Sequence, residues 1–153
     1  MASIVQQFFT NQALHLREGR FDLLAKPYAV PLVVMLPGGE GGVSVLPSRD
    51  AVEGFFRAKF DGLETAGIDY LRARVDDLET VSERRHAATV TWYYVDPYGK
   101  GQGETHARYF LGKGPGGLRV EMIEFRHLAF DAIADWVVQN ERRARHDADR
   151  RRP

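Results

Sequence analysis

The sequence contains no cysteine. Disulfides, thiol nucleophiles and thiolate metal sites are therefore excluded. Lysine is scarce: Lys26, Lys59, Lys100 and Lys113 are the only four, and arginine supplies the other basic residues. Neither sign of charge is in excess, with 21 basic and 21 acidic side chains. A dedicated nucleic-acid binder normally shows a basic surplus, so nucleic acid is not an expected partner. Long hydrophobic runs are missing too. The longest, Tyr28 to Leu36, is interrupted by Pro31 and falls far short of the roughly 20 residues that cross a bilayer. Residues 1–20 lack the basic start and apolar core of a secretory signal, so the expected location is the cytoplasm, with no membrane partner. No two histidines stand at His-x-x-x-His spacing, and no Gly-x-Ser-x-Gly elbow occurs. Neither a metal nor a cofactor is expected.

What is present suits one globular domain. The chain has 153 residues, 44% hydrophobic and 27% charged, close to the average for folded domains of this size. The spacing predicts a helix from Ser3 to about Glu18, with Ser3 as cap and Gly19 as stop. A short helix over Phe21 to Lys26 ends at Pro27. The valines of Tyr28 to Leu36 suit a strand, with Pro31 placing it at an edge or a strand start. The glycine-rich stretch 37–42 is a loop, followed by a short strand from Val43 to Leu46. Ser48 to about Thr65 is the best helix, with Val52, Phe55, Phe56, Phe60 and Leu63 as its apolar stripe.

From Ile68 the period changes to two. Leu71, Ala73 and Val75 alternate with Arg72, Arg74 and Asp76. Val90, Trp92 and Tyr94 form one face of the next strand. Thr105 to Leu111 and Leu118 to Phe125 supply two more strands, joined by glycine-rich turns. The letters Gly112-Lys113-Gly114-Pro115-Gly116-Gly117 match a dinucleotide fingerprint, but a strand follows where that motif needs a helix. Hairpin-joined strands make an antiparallel sheet. Phe130 to Asn140 reads as a final helix. The domain is expected to span 1–140, with 141–153 a flexible arginine-rich tail.

The stretches REGRFDLLAKPY, VVMLPGGEGG, LPSRDAVEGFFRAKF and GPGGLRVEMIEFRHL, in that order, resemble the nuclear-transport-factor-two-like superfamily. Within it, the resemblance is to the SnoaL-like polyketide cyclase and ketosteroid isomerase branch. It implies an α+β fold: a cone-shaped, curved antiparallel sheet packed on three N-terminal helices, plus a C-terminal helix. It also implies an apolar pocket inside the cone. The isomerases of that branch place a carboxylate base where this chain has Leu36. Their oxyanion donors fall near Gln12 and Tyr109. Leu36 cannot abstract a proton, so the isomerase activity is not carried over.

Alternation predicts the pocket lining. Val120 and Met122 facing inward would bring Glu124 with them, and Ala107 and Leu111 would bring Tyr109 and Thr105. Glu124 and Tyr109 are the candidate catalytic pair, because a carboxyl in apolar surroundings gains a raised pKa. The plainer alternative pairs Glu124 with Arg108 or Arg126. Trp92, Tyr94, Met122, Tyr28, Phe56, Gln12 and His15 are the candidate ligand contacts. A one-residue slip would instead turn His106 and Arg108 into the cone. The expected ligand is a small apolar molecule, bound with lyase, isomerase or cyclase chemistry. The alternative is a non-catalytic binding or interaction module. Thr91, Tyr93, Phe110, Ile123 and Phe125 are expected on the outer sheet face, where they would support a homodimer, with Trp136 a further contact.

Overall fold

The computed structural model describes residues 1–37 and 42–128. The expected final helix, Trp136 and the arginine-rich tail lie outside the described residues. Among the described residues there are three helices, two before the first strand and one after the second: α1 (Ala2–Arg17), α2 (Phe21–Ala25) and α3 (Arg49–Thr65). Six strands complete the fold: β1 (Tyr28–Met35), β2 (Val43–Leu46), β3 (Tyr70–Ser82), β4 (Arg85–Val95), β5 (Gly101–Gly114) and β6 (Gly117–His127). They form one curved sheet in the order β2-β1-β6-β5-β4-β3. The helices close its concave face, giving the α+β cone.

Local chemistry sets most boundaries. Gly19 follows α1 with φ 68°, a left-handed conformation that costs glycine nothing. Ser48 caps α3 by accepting the Ala51 N–H at 3.1 Å. Ser3, by contrast, lies inside α1: Met1 is the cap residue, and no side chain caps that end. The β5–β6 connection is a tight hairpin that pairs Gly114 with Gly117, so the glycine-rich letters there are a turn.

The sheet is mixed rather than antiparallel. β1 pairs with β6 in parallel, Val33 opposite Met122 and Met35 opposite Glu124. The β3–β6 meander runs back across the sheet and lays its last strand beside the first in the same direction. Hairpin signals do not encode that long-range contact. The β1–β6 register shifts between Tyr28 and Val33, the stretch that holds Pro31.

A second departure matters more for the site. On β6, Val120 pairs with Leu111 and Met122 pairs with Phe110, leaving Glu121 as an extra residue. Such a bulge puts two successive residues on the same side and shifts the alternation beyond it. Val120, Ile123 and Phe125 consequently face the core, at no more than 3% exposure. Met122 and Glu124 lie on the outer face with their partners Phe110 and Arg108. The expectation of Met122 and Glu124 inside, and of Ile123 and Phe125 outside, is corrected by this one inserted residue.

The helices are tied to the sheet by side chains as well as by packing. Gln6 of α1 donates from Nε2 to the Ala73 carbonyl at 2.9 Å and accepts the Val75 N–H through Oε1 at 2.8 Å. The Val120 N–H donates to the Pro27 carbonyl at 2.8 Å, fixing the β6 end of the hairpin against the end of α2.

Deleting Glu121 should leave every other β6 residue on its present face, and the shortened chain should still melt cooperatively. Deleting Ile123 should turn Glu124 inward and Phe125 outward and abolish the cooperative transition. Urea unfolding followed by near-UV circular dichroism distinguishes the two.

Candidate functional site

The cone interior is filled by its own side chains. Phe9 of α1 packs on Tyr109 at 4.6 Å and on Trp92 at 6.0 Å between ring centroids. Tyr28 packs on Phe56 at 5.1 Å. Edge and tilted contacts of this kind add to the stabilisation from burial. The polar atoms inside are satisfied in pairs. Trp92 Nε1 donates to Tyr109 Oη at 2.9 Å, and the Tyr94 and Thr105 hydroxyls share a bond of 2.5 Å. Burial pushes the Tyr94 hydroxyl up to about 12. Tyr28 and Tyr109 are also raised by burial, each with a smaller push from a neighbouring tyrosine. All three phenols stay protonated at neutral pH.

One interior group escaped sequence reasoning. Lys59 is 6% exposed and directs its amine over the Trp92 ring, 5.1 Å from the centroid. Loss of hydration disfavours the charged form, and burial lowers this amine from 10.5 to about 8. The signal was in the spacing: Lys59 stands three residues after Phe56 and four before Leu63, within the α3 stripe. Phe60, expected there, is half-buried and packs on Phe21 at 5.5 Å.

The structure separates the expected site residues into three places. Tyr109, Trp92, Tyr94, Tyr28 and Phe56 are packed in the core. Glu124 and Met122 are on the outer face, where Glu124 accepts from Arg126 Nε at 3.1 Å. His106 and Arg108 share that face. His106 sits 2.9 Å from Glu104, and Arg108 sits 2.6 Å from Glu79. The slip that would turn this pair inward is absent from β5, where Trp92 stands opposite Thr105 and Val90 opposite Ala107. Glu124 and Tyr109 therefore lie on opposite faces of the sheet and cannot act on one substrate atom.

Gln12 and His15 are in the third place. With Phe8 and Asn11 they form a face of α1 at helical spacing. That face lines a cavity of about 500 Å³, bordered by Leu23, Lys26 and Pro27 at α2 and by the β5–β6 hairpin. Gln12 is 6% exposed. Gln12 Oε1 and His15 Nδ1 are each shielded from solvent and have no hydrogen-bond partner among the described residues. A buried polar atom left unpaired costs about 1–3 kcal/mol. Both residues line the cavity, so its wall carries polar side chains beside apolar ones. Among the described residues, no three His, Asp or Glu side chains converge to hold a metal, and no helix is long and apolar enough to cross a membrane.

A family model described as NTF2-like protein (DUF6841) matches residues 2–126. No protein of curated function matches the sequence. Among solved structures, the chain is similar to a domain of unknown function with a cystatin-like fold from Nostoc punctiforme. The TM-score is 0.64 at 16% identity, over 96% of this chain and 91% of that one. It is similar to Aln2 from a Streptomyces species, with TM-score 0.61 at 20% identity, over 89% and 92% of the two chains. It also resembles a ketosteroid isomerase-like protein from Erwinia carotovora, with TM-score 0.53 at 11% identity, over 75% and 86%. These likenesses establish the fold.

The buried amine makes stability depend on pH. The Lys59 value in the folded chain, about 8, lies below the ordinary 10.5, so protonation favours the unfolded chain. Stability should rise with pH between those values and stay at its lower level below about 8. Lys59→Met removes the buried charge and should stabilise the protein at neutral pH by up to about 3 kcal/mol. That gain should shrink as pH climbs past 8 toward 10.5. Denaturant titrations of both proteins across the window would show it, and a pH-independent gap would refute it.

Proposed function

The chain belongs to the NTF2-like family, and on that premise we propose that it binds a small, largely apolar molecule in the cavity beside α1. The observation that carries this is the cavity of about 500 Å³ whose lining sets Gln12 and His15, with Gln12 Oε1 and His15 Nδ1 unpartnered among the described residues, beside apolar side chains. The amide oxygen accepts a hydrogen bond, and the imidazole nitrogen donates or accepts one according to its tautomer. Together they suit a hydroxyl or enol group. Phe8, Leu23 and Leu118 supply the apolar surface around it. A pocket of this size, mostly apolar with a few convergent polar atoms, is the usual form of a small-molecule site.

Acid–base chemistry of the isomerase, lyase or cyclase type is the second reading. It is favoured by His15, because an imidazole with an uncommitted nitrogen can move a proton to or from a bound enol. Fold does not decide between binding and turnover.

The outer sheet face supports a homodimer. Val43 and Val45 of β2 are about half exposed. They continue through half-buried Val33 and Met35 to Met122 and Phe110. A contiguous apolar band of this kind is what a second copy would cover.

Gln12→Leu removes a buried acceptor without a partner. The variant should be as stable as the parent in urea, or more stable by about 1 kcal/mol. It should also bind naphthol, a neutral aromatic alcohol, about tenfold more weakly by fluorescence titration. Unchanged naphthol binding would count against the site. For the dimer, light scattering should give twice the chain mass for the parent and the single-chain mass for Val45→Glu. A monomeric parent would overturn that assignment.

A further inference from the structure

A second cleft, of about 400 Å³, lies between the tips of two hairpins. Arg84 and Arg85 enter it from the β3–β4 turn, and Lys113 and Arg119 from the β5–β6 hairpin. One carboxylate faces these four cations. Glu121, the bulge residue, lies 3.6 Å from Arg85 and 3.3 Å from Arg119. Its side chain folds over Gly112, where a Cβ would collide with the carboxylate. Arg84 and Lys113 have no ion-pair partner among the described residues. A single shared carboxylate leaves the cleft with positive charge in excess, and guanidinium groups present paired donors that match phosphate or carboxylate oxygens.

The cleft and the cavity beside α1 share a lining residue. Arg119 lines both, and Lys113 in the cleft is followed by Gly114 in the cavity wall. Lys26 adds another cation to that wall. We propose that the hairpin cleft is an anion subsite continuous with the apolar cavity, so that the ligand is an amphipathic anion. Its apolar body lies against Phe8, Leu23 and Leu118. Its phosphate or carboxylate group reaches past Arg119 to Arg84, Arg85 and Lys113. Glu121 acts as the fixed counter-charge that holds Arg85 and Arg119 together while the cleft is empty. The inference rests on the cavity reading for the apolar half of the ligand and on the hairpin tips alone for the anionic half.

The two halves can be tested separately. Inorganic phosphate alone, titrated at low ionic strength, should shift the backbone NMR signals of Gly112, Lys113 and Arg119. Naphthyl phosphate and naphthoate should each bind about tenfold more tightly than naphthol. The tighter of the two assigns the group as a phosphate ester or a carboxylic acid. In the double variant Arg84→Ala/Lys113→Ala, both exposed positions, the advantage over naphthol should disappear while naphthol binding is unchanged. Phosphate shifts without any advantage for the charged naphthyl probes would overturn the continuity of the two sites. Naphthol binding with no phosphate shifts and no such advantage would overturn the anion subsite and leave the cavity reading standing. Failure of naphthol itself to bind, with phosphate shifts retained, would defeat the cavity reading and with it the amphipathic ligand.

Discussion

The inserted residue in β6 is the constraint on which the site depends. A strand offers only two faces, and one extra residue exchanges them for everything beyond it. Glu121 is that residue. It turns Ile123 and Phe125 into the core and places Met122 and Glu124 outside. It also projects its own carboxylate between Arg85 and Arg119. One local irregularity thus completes the aromatic core, strips it of the carboxylate that alternation would have delivered there, and organises charge at the hairpin tips.

The centre of the cone is packed with side chains. Where an open cone would leave room for substrate, this chain inserts Phe9, Trp92, Tyr109 and the stem of Lys59. Its internal polar groups are mostly committed to one another: indole to phenol, phenol to threonine, ammonium to indole face. Such a core is costly to open, since each group released would lose a partner at low dielectric. Among the described residues, Gln12 Oε1 and His15 Nδ1, one turn apart on α1, are buried without a partner. Ser44 Oγ on β2 is likewise unpaired, but it does not line the cavity.

Much of this was legible in the residues, and the parts that were not have physical reasons. β4 and β5 keep an unbroken period of two, so Trp92, Tyr94, Thr105 and Tyr109 could be placed inside from spacing alone. β6 carries two apolar phases, Val120 with Met122 and Ile123 with Phe125. Only pairing with Phe110 and Leu111 decides where one gives way to the other. The parallel contact between β1 and β6 joins strands about ninety residues apart, beyond any local pattern. Gln12 could be named because the resemblance puts an oxyanion donor near it, and His15 because it stands on the first helix. The hairpin that completes their cavity arrives from the far end of the domain. Lys59 was readable by position and missed by type, since a lysine on an apolar stripe looks like a surface residue until its stem is seen buried.

The hold of Gln6 on β3 has a consequence for how these molecules behave in company. β3 is an outermost strand of the sheet, and an outermost strand offers a ladder of free amide and carbonyl groups to any other extended chain. The Gln6 side chain occupies the Ala73 carbonyl and the Val75 amide, an adjacent acceptor and donor that an incoming strand would need. A primary amide presents an N–H and a C=O side by side, as one residue of a neighbouring strand does, so α1 acts there as a false neighbour. It ends the sheet at that point and guards a crowded solution against strand-by-strand polymerisation along this border.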